Sequence, residues 1–295
     1  MRYIEYPYPA DAAEGQAFEE LIFQTEKDGD ILLLRIHPPA VVCGCYQNIY
    51  GEVDLPRVLA DGVSAVRRLT GGGTVYHDRG NINYTLITDA VGGGADYDRM
   101  MAPMLAVLND LGIPAQKNRL CDIAIGDTKI SGSAQKIAGG RILHHGTLLY
   151  DSDLGKLREY LTVRGSYRSK AIASSPWQVG NLKALCRREE STAEFLQALS
   201  RAFLDRFGGE TVLPDAAVMD RARTLAAEKY RSFAWTYAKS PTFEKTVTVE
   251  DITVRMKVEK GVITSIDAKG DGRFAELVGR SMTPEGLGEM FALLG

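Results

Sequence analysis

The chain has 295 residues, 45% hydrophobic and 25% charged, values close to those of soluble globular proteins, which excludes a fibre or a largely disordered chain. A formal net charge of -3 argues against a long duplex-binding face, because sequence-independent nucleic-acid affinity rests on clustered Lys and Arg. No run approaches the roughly 20 apolar residues of a membrane span, and the acidic start with Glu5, Asp11 and Glu14 is the reverse of a basic leader; the expectation is a cytoplasmic protein with no nucleic-acid or membrane partner, long enough for one large domain and one small.

From Asp11 to Thr25, the residues Ala12, Ala13, Ala17, Leu21 and Ile22 recur at helical spacing with glutamates between them, which predicts an amphipathic helix lying on a sheet. Ile31 to Ile36 and Ala40 to Cys45 are short apolar runs separated by Pro38 and Pro39, the pattern of two buried strands joined by a turn. A helix from Val53 to Ala60 leads to a strand from Val63 to Arg68. Gly73 to His77 and Asn81 to Thr88, split by Asp78-Arg79-Gly80, predict a hairpin.

Tyr97 to Leu111 carries Met100, Met101, Met104, Leu105, Leu108 and Leu111 on one helical stripe, stopped by Gly112 and Pro114. The methionines read as core filler. Two strands follow, Lys129 to Lys136 and Arg141 to Tyr150, turning at Gly139-Gly140. Helices are predicted at Leu154 to Leu161, Glu190 to Phe207 and Asp215 to Tyr230. Beyond Pro241 the character changes: Phe243 to Val258 and Val262 to Asp267 are β-rich, and Phe274 to Gly279 and Pro284 to Leu294 are helical. The division expected is a main domain, 1–240, and a small accessory domain, 241–295, hinged at Pro241.

Cys43, Cys45, Cys121 and Cys186 are too few and scattered for a disulfide framework in a chain of this length. The only histidines are His37, His77, His144 and His145, so Cys43 and Cys45 read as small buried strand residues and not as metal ligands.

The chemistry concentrates in Arg67-Arg68-Leu69-Thr70-Gly71-Gly72-Gly73-Thr74-Val75-Tyr76-His77-Asp78. Three successive glycines after a strand leave main-chain N–H groups open to a phosphate or carboxylate, and two arginines add positive charge. The Lys-Ser or Lys-Thr of a Walker loop is missing. On composition alone a flexible turn and a ligand loop are equally open. A second cluster, Asp127-Thr128-Lys129-Ile130-Ser131-Gly132-Ser133-Ala134-Gln135, is followed by His144-His145-Gly146-Thr147. A lysine at the head of a strand beside the glycine loop can reach an acyl phosphate.

Arg67 to Asn83, the Lys129 to Ala134 segment and His144 to Leu149, in that order and spacing, resemble the lipoate-protein ligase A family of the biotin and lipoate ligase superfamily, and the resemblance reaches Asn181-Leu182 and Trp235 to Phe243. It implies an α/β (α+β) fold with mixed, largely antiparallel sheets flanked by helices, plus a small C-terminal α+β unit that swings between half-reactions. It implies ATP and Mg²⁺, with lipoic acid as substrate, and acceptor lysines on lipoyl domains of 2-oxo acid dehydrogenase E2 subunits or on the glycine cleavage H protein. Carried onto this chain, Lys129 is the catalytic residue. Arg68, Gly71, Gly72, Gly73, Tyr76, His77, Asn81, Asp122, Ser131, Gly132, His145 and Thr147 bind substrate or adenylate, and Asp122 orients Mg²⁺ or phosphate.

One position departs from the family: Cys121 stands before Asp122 where these ligases carry asparagine. Related acyltransferases move octanoyl or lipoyl groups through a cysteine thioester without ATP, so a transferase using Cys121 is the alternative activity. An amidotransferase working from a preformed acyl donor would carry nearly the same segments. A biotin-operon-like regulator would need a basic helix-turn-helix, which the stretch from Met1 to Asp30 lacks.

Overall fold

A computed structural model of the chain describes residues 1–118, 122–162, 166–171, 173–174, 178–249, 252–269 and 271–283. Cys121 and the helix expected from Pro284 to Leu294 fall outside these residues.

The main body is built on a six-stranded sheet in the order Ser133–Ala138, Arg141–Leu149, Asn81–Asp89, Ile31–Arg35, Arg2–Ile4, Glu210–Val212. Its first four strands run antiparallel and its last two join in parallel, giving the mixed, largely antiparallel fold expected. A three-stranded sheet, Ser64–Arg67, Ala40–Cys43 and Val75–His77, stands apart from it.

The helix Ala12–Thr25 is capped by the Asp11 carboxylate, which accepts from the Glu14 amide. It fills the space between these sheets and is buried from Ala12 to Phe23. Phe18, Leu21 and Ile22 meet Ile31, Leu33, Ile87 and Leu143 of the large sheet, while Ala12, Ala13 and Ala17 meet Ala40, Val42 and Val66 of the small one. The helix expected to lie on a sheet is found, but it is covered on two sides, and it brings its glutamates inside with it.

One supersecondary expectation holds and another changes. The runs either side of Pro38-Pro39 are strands, but they belong to different sheets. Val75–His77 and Asn81–Asp89 do not pair as a hairpin; the first joins Ala40–Cys43 and the second the large sheet. The cause lies in the turn, where the two oxygens of the Asp78 carboxylate accept from the Gly80 and Asp153 amides, and the Gly80 carbonyl accepts from Tyr150 and Asp151. These bonds aim the chain across to the second sheet.

The strand expected from Lys129 to Lys136 likewise breaks at Gly132 into Thr128–Ser131, in a small sheet with Gln116–Lys117 and Ile123–Ile125, and Ser133–Ala138, at the edge of the large sheet. Helices Tyr97–Asp110 and Thr192–Phe207 cover the other face of the large sheet, and Met100, Met101 and Met104 are buried there with Phe195, Leu199 and Phe203. The helix Ala216–Leu225 runs on into a π-helical turn, Ala226–Tyr230, and a short helix, Phe233–Thr236, follows.

The C-terminal segment forms Phe243–Val249, Ile252–Glu259 and Val262–Asp267, an antiparallel meander that resolves the β-rich stretch from Phe243 to Val258 into two strands. A 3-10 helix, Gly272–Leu277, follows. This meander takes its edge strand, Ser166–Ser169, from the main body. It also shares a core with it: Phe243, Val254, Met256 and Ile263 are clustered with Val41, Cys43, Tyr50 and Val58. Among the described residues no helix is long and apolar enough to cross a membrane.

Candidate active site

Where the three body sheets approach one another they leave a cavity of about 290 Å³, near the small end of ligand sites. One wall is the glycine turn, with Arg68, Gly72, Gly73 and Thr74. The opposite wall is formed around the break at Gly132, with Asp122, Lys129, Ser133 and Ala134. The floor comes from the central strands of the large sheet, with Asn83, Tyr84, His145, Gly146 and Thr147, and from Gln16 and Glu19 of the buried helix.

Of the site residues expected from sequence, Lys129, Arg68, Gly72, Gly73, His77, Asp122, Gly132, His145 and Thr147 line this cavity. Four lie elsewhere. Tyr76 points into the second core, its ring 5.3 Å from that of Tyr160. Alternation along a strand explains this, because His77 faces the cavity and its neighbour must face away. Asn81 is fully buried and donates to Asn83, which does line the cavity. Ser131 lies beneath the wall, 3.5 Å from the Tyr84 hydroxyl, and Gly71 lies outside the lining, beneath the exposed Tyr46 ring.

Gly72 needs to be glycine: its φ is +87° and a Cβ there would stand 2.9 Å from Arg68 Nη2. Arg68 Nε donates to Thr70 Oγ1 at 3.0 Å and to the Gly71 carbonyl at 3.1 Å, and Nη1 donates to the Val42 carbonyl at 3.1 Å. The guanidinium thus shapes the turn while one side of it faces the cavity. Burial lowers its pKa only to about 10, so it stays charged. Arg67, the other arginine of the motif, turns away; it donates to the carbonyls of Gly44, Gln47 and Thr236.

The Lys129 ammonium forms an ion pair with Asp122 at 3.0 Å. The two meet because Lys129 is paired with Ala124 across the Ile123–Ile125 and Thr128–Ser131 strands. Nearby Gly132, at the sheet break, lets Thr147 donate its amide to the Gly132 carbonyl at 3.0 Å. His77 is neutral: burial, then the neighbouring His37 and Arg68, hold its pKa well below the ordinary value. Its Nδ1 lies 3.0 Å from Nδ1 of His37.

The sequence missed the buried charges of the floor. Arg35 and Glu19 form an ion pair at 2.5 Å with 1% and 2% of their side chains exposed. Burial pushes the Glu19 carboxyl up, but the His145 and Arg35 charges and hydrogen bonds outweigh it and hold the group well below the usual carboxylate range. The indication available from sequence was Arg35 itself, a cation ending an otherwise wholly apolar strand, Ile31–Arg35. Ser174, on a segment not assigned to the site, reaches over the turn and accepts from the Thr74 amide at 3.0 Å.

Among the described residues no three His, Cys, Asp or Glu side chains gather to hold a metal ion, and the Asp122 carboxylate already has the lysine as partner. These side chains do not fit a resident magnesium site. Magnesium suits this cavity only as the counter-ion of a nucleotide substrate, carried in on its phosphates.

The sequence matches the lipoyl protein ligase A/B catalytic domain over residues 11–204. It is 30% identical to the lipoate-protein ligase LplJ of Bacillus subtilis over 282 residues, 92% of this chain and 85% of that one. The fold is similar to that of protein Ta0514 of Thermoplasma acidophilum with bound lipoic acid, with a TM-score of 0.67, 26% identity and coverage of 80% and 98% of the two chains. A lipoate-protein ligase A bound with ATP has the same TM-score of 0.67 at 26% identity, with 80% and 97% covered. With the glycine turn, the Lys129 wall and Thr147 all lying inside the matched span, the chain belongs to the lipoyl protein ligase A/B catalytic domain family.

Proposed function

We propose that the chain activates lipoate with ATP, giving lipoyl adenylate and pyrophosphate, and then passes the lipoyl group to a lysine of a folded lipoyl domain. The observation that carries this reading is the meeting of the Gly72-Gly73 turn and the Lys129 ammonium across one cavity. ATP and lipoic acid are the ligands of two structures of similar fold, and the Bacillus subtilis relative is a lipoate-protein ligase.

A carboxylate is a poor acyl donor, so the acid must first be activated. In the first step a carboxylate oxygen attacks the α-phosphorus of ATP; the new O–P bond forms as the bond to the pyrophosphate oxygen breaks. Charge grows on the phosphoryl oxygens, and Lys129 is the group positioned to stabilise it. The open amides of the glycine turn offer further donors. In the second step a deprotonated lysine amine attacks the acyl carbonyl, the carbonyl carbon's bond to the phosphate oxygen breaks, and AMP leaves. The protein's contribution there is mainly positioning.

The acceptors proposed are the lipoyl domains of 2-oxo acid dehydrogenase E2 subunits and the glycine cleavage H protein, met in the cytoplasm. The test is pyrophosphate release from ATP, Mg²⁺ and lipoate with no acceptor present. Release supports adenylation. No release, combined with acyl transfer from an octanoyl carrier that Cys121→Ser abolishes, would replace this reading with the thioester route.

A further inference from the structure

His145 has no ring nitrogen left for a ligand. Its Nδ1 lies 2.8 Å from a Glu19 carboxylate oxygen and its Nε2 lies 2.7 Å from Thr70 Oγ1. Glu19 is in turn held by Arg35 Nη2 at 2.5 Å and by the Thr85 hydroxyl, which donates to it at 2.6 Å. The Thr70 oxygen accepts from Arg68 Nε at 3.0 Å. The contacts form one unbroken buried chain from Arg35 through Glu19, His145 and Thr70 to Arg68.

A carboxylate only accepts, so the hydrogen between Glu19 and His145 sits on Nδ1. Thr70 Oγ1 meets Nε2 and also accepts from Arg68 Nε. Arg68, so fixed, donates to the Gly71 carbonyl from Nε at 3.1 Å and from Nη2 at 2.5 Å, and to Val42 from Nη1. The glycine turn is consequently anchored at the Gly71 carbonyl from within the molecule.

We infer that Glu19, His145 and Thr70 are positioning residues for adenylation, a buried relay that acts through Arg68 to hold the glycine turn in its reactive shape. The inference rests on the adenylation reading. The relay gives a role to a helix residue, Glu19, that is distant in sequence from the turn, and it changes the role of His145 from ligand contact to internal bracket. Low dielectric strengthens such a chain and makes its members interdependent.

The test measures kcat and KM for pyrophosphate release with lipoate, together with thermal midpoints, for Thr70→Val, Thr70→Ser, His145→Gln and the Thr70→Val, His145→Gln pair. Thr70→Val is expected to lower kcat about 10- to 100-fold with KM for lipoate changed less than about threefold, because a displaced reacting geometry costs rate before affinity. Thr70→Ser, which keeps the hydroxyl, is expected to restore kcat to within about threefold of the starting protein. The double variant should be no worse than the weaker single, since either change breaks the same chain. Multiplying losses, or a Thr70→Val protein with unchanged kcat, would overturn the relay. If His145→Gln does not fold, the Thr70 valine and serine comparison decides alone. A starting protein that releases no pyrophosphate would instead refute the adenylation reading itself.

Discussion

The Lys129 ammonium, on the strand Thr128–Ser131, and the carboxylate of Asp122, just before the adjacent strand Ile123–Ile125, stand 3.0 Å apart, with 21% and 11% of their side chains exposed. On the proposed adenylation reading, the carboxylate holds the ammonium where it would meet the phosphate. It is also the group a phosphate would have to share it with. Replacing Lys129 by Ala is therefore expected to reduce pyrophosphate release roughly 100- to 1,000-fold, the usual effect of losing one well-placed donor. A partly solvated pair contributes about 1 kcal/mol or less to stability, so the urea midpoint should barely move. An alanine variant that forms adenylate at the starting rate would remove Lys129 from the chemistry.

The Arg35 and Glu19 pair behaves differently because water does not reach it. Arg35→Met leaves the Glu19 charge buried with His145 and Thr85 as its remaining partners, and an uncompensated buried charge costs about 3–5 kcal/mol. Combining Arg35→Met with Glu19→Gln should recover most of that loss. Denaturant unfolding of the three proteins measures both effects. Equal midpoints for Arg35→Met and the starting protein would contradict the buried ion pair.

Burial also sets an acid limit. The His37 and His144 rings have pKa values lowered to about 3, by desolvation first, with the Arg35 charge second for His37 and His145 second for His144. In the unfolded chain a histidine titrates near pH 6.5, so below that pH the unfolded state binds more protons. The stabilisation from keeping these rings neutral is complete above about pH 6.5 and is lost progressively down to about pH 3, with a slope of up to about 1.4 kcal/mol per pH unit for each ring. His144→Gln should make the fall in urea midpoint across this window shallower. An unchanged slope would show that the ring titrates alike in both states.

The C-terminal meander should not melt separately from the body. Tyr50 and Phe243 stack with centroids 5.2 Å apart, the Tyr50 hydroxyl donates to the Met282 carbonyl at 3.0 Å, and Asn48 donates to the Pro241 carbonyl at 3.1 Å. Phe243→Ala removes a fully buried ring from a core the two parts share, which costs about 3–5 kcal/mol. Tryptophan fluorescence and far-UV circular dichroism should report one coincident transition, shifted down together. Two separated transitions would show instead that the meander is an independent unit.

Local patterns made most elements legible. Period 3.6 located the long helices, and Gly112, whose φ is +74°, stops Tyr97–Asp110 as its position suggested. The glycine motif stood out by its residue types, whereas Lys129, an ordinary residue at a strand end, was singled out by the family resemblance. Sheet membership was not legible. Nothing in Gly73 to Thr88 tells a hairpin from a crossing between sheets, since the decision rests on bonds from Asp78 and Gly80 to residues 150–153, far along the chain. The same limit hid Glu19. A glutamate between apolar helical positions reads as a solvent face until the second sheet, made by residues 40–77, is known to cover it.

Arg67 bears on how far the protein can be dissected. The family match ends at residue 204, yet this guanidinium, fully enclosed, directs its donors to the carbonyls of Trp235 and Thr236 and to the Ser240 hydroxyl as well as to the loop at Gly44 to Gln47. A polypeptide halted before Trp235 would strand a permanent cation among apolar strands with half of its acceptors gone. The matched span is thus not autonomous in this protein: the loop beside the glycine turn draws its rigidity from residues 235–240, so the turn's neighbourhood is completed only once they have left the ribosome.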